Sequence, residues 1–227
     1  MPRKRYLLAL IVAFAAFGAR AWVVSQSSAA SAMPTCGAQC GHSQTVIVLP
    51  PPAQLAGAPV AILGDSIAHG TCCSTEGPAD YFANPVNMAV DGNQIARVTA
   101  LLPEVHAKRV FLHVGVNDVG RDNPNTERDW AALLAAIKAR PQTKFVVVEI
   151  GPMNPGVSTP QRDARRDRLN ARLRALKARN VTVLPFVATS LFDGLHPDDV
   201  GYRQQMPLVV RAFSGAAKSP APTIDRN

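Results

Sequence analysis

Charge and aromatic rings are both scarce in this chain: 18% of its 227 residues are charged and 6% aromatic, while 47% are hydrophobic. That balance excludes an intrinsically disordered protein, which needs low hydrophobicity and high charge. The length suits one well-packed domain and is short for two. A membrane-spanning helix needs ~20 apolar residues, and the N-terminal run Leu7–Ala19 has thirteen. Cys36 follows Met33-Pro34-Thr35, so no lipid-attachment motif precedes it. No internal repeat is visible, which excludes a solenoid. Cysteine is rare, with four in all.

The net charge of +8 suggests a nucleic-acid partner until it is located. Arg3, Lys4, Arg5 and Arg20 belong to the N-terminal segment, leaving +4 on residues 22–227. Gln161–Arg179 alone holds eight basic residues against Asp163 and Asp167, and the remainder is close to neutral. No aromatic residue interleaves that stretch and no nucleic-acid motif accompanies it, so it reads as a solvated helix face. No nucleic-acid partner is expected.

Pro2–Tyr6 is basic, Leu7–Ala19 apolar, and Ala19-Arg20-Ala21 places small residues where a signal peptidase inspects them. The reading is a signal peptide over residues 1–21, with Ala30-Ser31-Ala32 as a second cleavage site. The chain is therefore expected to be exported, periplasmic or secreted, with no stable membrane span after cleavage. The alternative is an uncleaved anchor, which would have to bury Arg20 at a cost. Export makes disulfides the expected state of Cys36, Cys40, Cys72 and Cys73. A Cys72–Cys73 bond would strain the intervening peptide, so the expected bridge ties the Cys36/Cys40 segment to the Cys72-Cys73 pair. Metal binding by Cys36, Cys40 and His42 matches no common zinc spacing.

Residues 22–58 are a Ser/Ala/Pro-rich lead-in ending in Pro50-Pro51-Pro52, with Val46–Leu49 as a short strand candidate. From Pro59 strand and helix signals alternate. Val60–Leu63, Val86–Val90, Val110–Val114, Phe145–Ile150 and Val181–Leu184 are short apolar runs of the kind that form buried parallel strands. Gln94–Leu102 has helical spacing and stops at Pro103. Thr126-Glu127-Arg128-Asp129 resembles a capping box before Trp130, Leu133, Leu134 and Ile137. Leu169, Leu173 and Leu176 form the apolar stripe of the basic helix. Pro197, Asp198 and Asp199 open a last helix, in which Pro207 predicts a kink or early end. The domain is placed at 59–214 and a tail at 215–227. Strands separated by helices imply a parallel sheet covered on both faces, an α/β three-layer fold.

In such sheets ligands sit beyond the carboxyl ends of the strands. Gly64-Asp65-Ser66 follows the first strand, Gly92 the second, Gly115-Val116-Asn117-Asp118 the third, and Asp193-Gly194-Leu195-His196 the last. A serine hydroxyl becomes a nucleophile when an imidazole takes its proton, and a carboxylate orients that imidazole. His196 with Asp193 three residues earlier supplies that pair. Gly92, read as opening the Gln94 helix, would aim its N–H at developing negative charge. The Asn117 amide adds a neutral donor. Asp65 and Asp118 read as structural braces, His69 as a rim residue, and His113 as a satisfied core or edge histidine. His42 and His106 have no evident partners. Met153 and Asn154 are placed to line the acyl or alcohol side.

These four blocks, in this order, resemble the SGNH hydrolases, also called the GDSL esterase/lipase family, over roughly Pro59–Phe213. The resemblance implies a flavodoxin-like fold with a five-stranded parallel sheet. It implies Ser66 as nucleophile, His196 as base and Asp193 as its orienter. The implied oxyanion donors are the Ser66 and Gly92 N–H groups and the Asn117 amide. Ser66 is not set in Gly-x-Ser-x-Gly, so the α/β-hydrolase elbow is not the reading. Asp91 stands where the family commonly has a small residue, and Pro207 interrupts the last helix. The expected function is an exported serine esterase acting on small acyl esters, such as acetylated carbohydrate, with no cofactor and no metal. A thioesterase or lysophospholipase, a carbohydrate O-acyltransferase, and a non-catalytic binding protein on the same scaffold are the alternatives.

Overall fold

The structure, a computed structural model, describes residues 54–70 and 74–215. The signal segment, most of the lead-in with its Val46–Leu49 strand candidate, all four cysteines, His42 and most of the tail lie outside the described residues.

Five strands form one parallel sheet: β1 (Val60–Gly64), β2 (Pro85–Asn87), β3 (Arg109–His113), β4 (Lys144–Val148) and β5 (Val181–Leu184). Their spatial order is β2-β1-β3-β4-β5. The chain leaves β1 for β2 on one side and returns to β3 on the other, so the topological switch lies at β1. This is the flavodoxin-like order, in which the crevice beyond the switch is the expected ligand site. The helices are α1 (Ser66–His69), α2 (Ile95–Leu101), α3 (Val116–Gly120), α4 (Thr126–Lys138), α5 (Pro160–Arg174) and α6 (Asp199–Ser214).

Side chains alternate across a strand, and the alternation sorts the core into two layers. Ala61, Leu63, Val110, Leu112, Phe145 and Val147 face Ile95, Val98, Trp130, Leu133, Ile137, Leu169 and Leu173 of α2, α4 and α5. Val60, Ile62, Phe111, Val146 and Val148 face Ala68, Phe82, Tyr202, Met206, Val209 and Phe213 on the opposite side. Polar groups trapped between layers are matched. Trp130 Nε1 donates to the Leu169 carbonyl at 3.0 Å. The Asn170 amide exchanges two bonds with the Ile150 backbone, at 2.9 and 3.0 Å.

β5 spans its apolar run, while the ends of β1, β3 and β4 differ from theirs by a residue or two, because pairing rather than hydropathy sets the ends. β2 is the exception in kind. Its three residues are exposed and only Pro85–Asn87 pairs in the ladder. The chain still follows β1 to Val90, with Met88 N and Val90 N donating to the Ile62 and Gly64 carbonyls at 2.9 and 3.2 Å.

Pro207 neither ends nor shortens α6, which runs to Ser214. A proline inside a helix costs about 3 kcal/mol. Here its ring lies on the exposed face, while Tyr202, Met206, Val209 and Phe213 bury the other against the sheet. Each such side chain is worth about 1.5–3 kcal/mol of burial, which outweighs the proline.

The basic helix α5 spends its charge on neighbours. Arg162 pairs with Asp122 at 2.6 Å, Arg168 and Arg172 with Glu127 at 3.3 and 2.8 Å, and Arg174 with Glu149 at 2.8 Å. Exposed pairs like these are screened by solvent and contribute little to stability. They account for the stretch as a paired surface. Among the described residues no helix is long and apolar enough to cross a membrane, and no cluster of His, Cys, Asp and Glu could hold a metal ion.

Candidate active site

Ser66 is the first residue of α1, directly after β1 at the switch point. Asp65 caps that helix: its Oδ1 accepts the Ile67 N–H at 3.1 Å, holding the turn that presents Ser66. Ser66 is buried, and its Oγ lies 2.8 Å from His196 Nε2. On the other side of the ring, His196 Nδ1 lies 2.8 Å from Asp193 Oδ2. A carboxylate accepts, so Nδ1 carries the proton and Nε2 offers its lone pair to the serine hydroxyl.

The loop that carries both partners is built for this. Gly194 has φ 79°, a left-handed conformation that turns the chain tightly between Asp193 and His196. The turn folds Asp193 Oδ1 back onto the N–H groups of Leu195 and His196, at 3.0 and 2.8 Å. Burial pushes the Asp193 carboxyl up, but donation from the His196 ring and those two amides holds it at about 2. It is thus ionised wherever the imidazole could serve as a base. Asn154 braces the loop from β4's side: its Nδ2 donates to the Asp193 carbonyl and its Oδ1 accepts the Gly156 N–H at 2.8 Å.

The second strand's block differs from its sequence reading. Gly92 does not open α2, whose cap is Gln94 and whose first residue is Ile95. It is instead the third residue of a turn closed by Asn93 N donating to the Val90 carbonyl at 3.1 Å, with φ 75°. A positive φ at that position is the type II pattern, which favours glycine. The helix-end argument for Gly92 fails for a further reason: the Ile95 N–H is taken by Asp118 Oδ2 at 2.9 Å.

Asn93, which the sequence reading passed over, joins the blocks. Its Nδ2 donates to the Gly64 carbonyl at 3.1 Å, and its own carbonyl accepts Asn117 Nδ2 at 3.0 Å. The strand ends after β1, β2 and β3 are therefore tied side chain to backbone. An asparagine beside a turn glycine is the only local signal that could have marked it. Asp118 is the expected brace, fully buried between the Ile95 N–H and Asn123 Nδ2, which donates to its Oδ1 at 2.8 Å. Burial raises its pKa despite both bonds.

Other expectations divide. His69 is a rim residue, its Nδ1 2.8 Å from Asp91 Oδ1. His106 is exposed. His113 is buried but not satisfied: neither ring nitrogen has a hydrogen-bond partner among the described residues, Nδ1 stands 3.7 Å from Asp65 Oδ1, and the ring packs on Phe186. Met153 lines no site, being buried in the α4/α5 core layer. Asp199 does more than favour a helix start. Its carboxylate takes the Thr75 and Glu76 N–H groups at 2.8 and 3.0 Å and Thr75 Oγ1 at 2.7 Å, tying the segment after α1 to the helix after His196.

With this geometry in place, comparison with known proteins is decisive on family. Residues 62–204 match the GDSL-like Lipase/Acylhydrolase family, which is most of the chain and contains every block. The chain belongs to the GDSL-like lipase/acylhydrolase family. It is accordingly an ester-bond hydrolase. Solved structures agree on the fold. A GDSL-like lipase from Bacteroides thetaiotaomicron is 19% identical, with a TM-score of 0.58 over 70% of this chain and 89% of that one. A G-D-S-L family lipolytic protein from Veillonella parvula is 20% identical, with a TM-score of 0.57 over 70% and 99%. A family 3 carbohydrate esterase from Clostridium thermocellum is 16% identical, with a TM-score of 0.52 over 70% and 99%. At such identities the likeness is one of fold. No curated protein matches the chain in sequence.

Proposed function

We propose that this GDSL hydrolase is an exported serine esterase that cleaves small acyl esters, acetylated carbohydrate among them, through an acyl-enzyme on Ser66. The observation that carries the reading is the unbroken chain Ser66 Oγ–His196 Nε2 and His196 Nδ1–Asp193 Oδ2, at 2.8 Å each. Ser66 Oγ attacks the ester carbonyl carbon as its proton passes to His196 Nε2, and the carbonyl π electrons move onto oxygen. Asp193 stabilises the imidazolium without taking its proton. The oxyanion is met by the Ser66 and Gly92 N–H groups and by Asn117 Nδ2. Such donors act more strongly in the transition state than in the ground state. Collapse breaks the C–O bond and the leaving alkoxide takes the proton from His196. Water then repeats the sequence on the acyl-serine, which returns Ser66 and releases the acid.

Small acyl groups suit the site because the described connections at this edge carry no inserted helical lid. Export rests on the N-terminal sequence.

Purified protein should label on Ser66 with a fluorophosphonate and hydrolyse p-nitrophenyl acetate faster than the decanoate. Preference for palmitoyl-CoA would move the reading to a thioesterase. Labelling without hydrolysis of any ester, acetylated xylan included, would move it to an acyltransferase. Absence of both would refute Ser66 as nucleophile. A mature N-terminus at Trp22 or Met33 in the exported fraction would support export, and intact Met1 in the membrane fraction would refute it.

A further inference from the structure

Residues 192–196, which carry the imidazole and its orienting carboxylate, are shaped from within. Phe192 N donates to the His196 carbonyl at 2.8 Å, and Asp193 Oδ1 takes the Leu195 and His196 N–H groups at 3.0 and 2.8 Å. Such bonds set the form of the loop but not its place in the molecule. Among the described residues, the hydrogen bonds that reach it from outside come from Ser66 Oγ and from Asn154 alone. Asn154 Nδ2 donates to the Asp193 carbonyl. The amide lies so close to the turn that a Cβ on Gly194 would stand 3.2 Å from Nδ2 and 3.3 Å from Cγ, tighter than ordinary contact.

Asn154 is itself fixed. Its Oδ1 accepts the Gly156 N–H, and its carbonyl the Val157 and Ser158 N–H groups, all at 2.8 Å. Arg162 Nη1 of α5 holds the Val157 carbonyl at 2.6 Å. The same connection between β4 and α5 packs on α3, the helix that carries Asn117. A Cβ on Gly115, which precedes that helix, would lie 2.7 Å from Ile150 Cδ1, and one on Gly120, its last residue, 3.7 Å from Val157 Cγ1. One rigid connection therefore touches the Asn117 helix on one side and the Asp193–His196 loop on the other.

Resting on the esterase reading above, we propose that Asn154 is a positioning residue for the general base: by holding the Asp193 carbonyl it sets where His196 Nε2 stands relative to Ser66 and to the Asn117 amide. Loss of one amide–carbonyl bond corresponds to about tenfold, and a misplacement of about 1 Å in a site can cost about 10²-fold in rate. Asn154→Ala should therefore lower kcat by about 10- to 10²-fold. KM should barely move, because Asn154 meets the loop rather than the substrate.

The test uses p-nitrophenyl acetate turnover and the rate of fluorophosphonate labelling of Ser66, with urea unfolding to show each variant folded. Both rates should fall in parallel in Asn154→Ala. Asn154→Asp keeps the acceptor for the Gly156 N–H but presents the Asp193 carbonyl with no donor, so it should be at least as slow. Full activity in Asn154→Asp would make the Gly156 turn the whole of the residue's role and overturn the proposal. The decisive arm repeats Asn154→Ala in a His196→Gln background. A residue that acts through the base should then change the residual labelling rate by no more than about twofold. A merely structural residue would cost the same factor in both backgrounds, and that additivity would also overturn the proposal. Wild-type protein that neither labels nor hydrolyses would refute the esterase reading and the proposal with it. An active, labelled wild type with an unaffected Asn154→Ala would refute Asn154 alone.

Discussion

Replacing Asn117 with alanine separates an oxyanion donor from a brace. The Asn117 amide carries two protons. One is committed to the Asn93 carbonyl at 3.0 Å, which orients the group, and the other is proposed to meet the substrate oxygen. A donor of this kind is worth about 2.7–4 kcal/mol of transition-state stabilisation, or about 10²–10³ in kcat. Asn117→Ala should lower kcat by that factor with KM nearly unchanged, since the bond strengthens only as charge develops on oxygen. Asn117→Asp should be at least as damaging, because it faces the oxyanion with a second negative charge. Asn93→Ala is the control. It keeps the backbone carbonyl that Asn117 uses and removes only the 3.1 Å bond to Gly64, a net contribution of about 1 kcal/mol. Its rate loss should stay within about tenfold. Fluorophosphonate labelling of Ser66 should slow in Asn117→Ala but remain, and urea unfolding should show both variants folded. If Asn117→Ala raised KM alone, or lost no more rate than Asn93→Ala, the amide would be a brace. The oxyanion would then rest on two backbone amides.

Asp193→Asn should leave the fold intact and cut kcat by about 10⁴, since the amide can favour the wrong imidazole tautomer. The depressed Asp193 carboxyl also adds stability above its unfolded pKa. That contribution is lost as pH falls through about 2, so the urea-stability gap between wild type and Asp193→Asn should close toward that pH. Its side chain is a third exposed, and screening leaves the gap at about 1 kcal/mol. Met206→Ala, at a fully buried position, should cost about 2–5 kcal/mol by calorimetry. Pro207→Ala should raise Tm, because on an exposed face it restores a helix hydrogen bond and removes a penalty of up to about 3 kcal/mol. An unchanged or lower Tm would mean that α6 has already absorbed the proline.

The sheet and the main blocks were legible because each rests on a one-dimensional signal. Short apolar runs mark buried strands, and the glycines, asparagine and histidine stand just past their ends. What could not be read depends on partners far away in the chain. His113 was expected to be satisfied, yet neither nitrogen has a hydrogen-bond partner among the described residues, and the Asp65 carboxylate that the β1–β3 register brings beside it stays 3.7 Å off. Met153 was placed near substrate from its position after β4, but the turn there directs it into the core. Pro207 was judged by local rule, and the rule lost to the apolar face on the other side of the same helix.

The correction at Gly92 changes the physical account of the site. A glycine at a helix N-terminus would draw on the macrodipole, whose effect fades within a turn and is screened by salt. In this fold the helix end is already neutralised by Asp118, and the glycine sits in a separate turn. Its orientation follows instead from a relay of fixed bonds: Asp118 to Ile95, Asn117 to Asn93, and Asn93 to Gly64. If Ser66, Gly92 and Asn117 are the donors proposed above, the relay sets their spacing before substrate arrives, which is what pre-organised stabilisation requires. A site held this way should lose rate in steps as its asparagines are removed, whereas one resting on a helix dipole should respond chiefly to ionic strength. Measuring kcat for p-nitrophenyl acetate from low to high salt distinguishes them: a nearly flat profile fits the relay, and a steep decline would return the dipole to the argument.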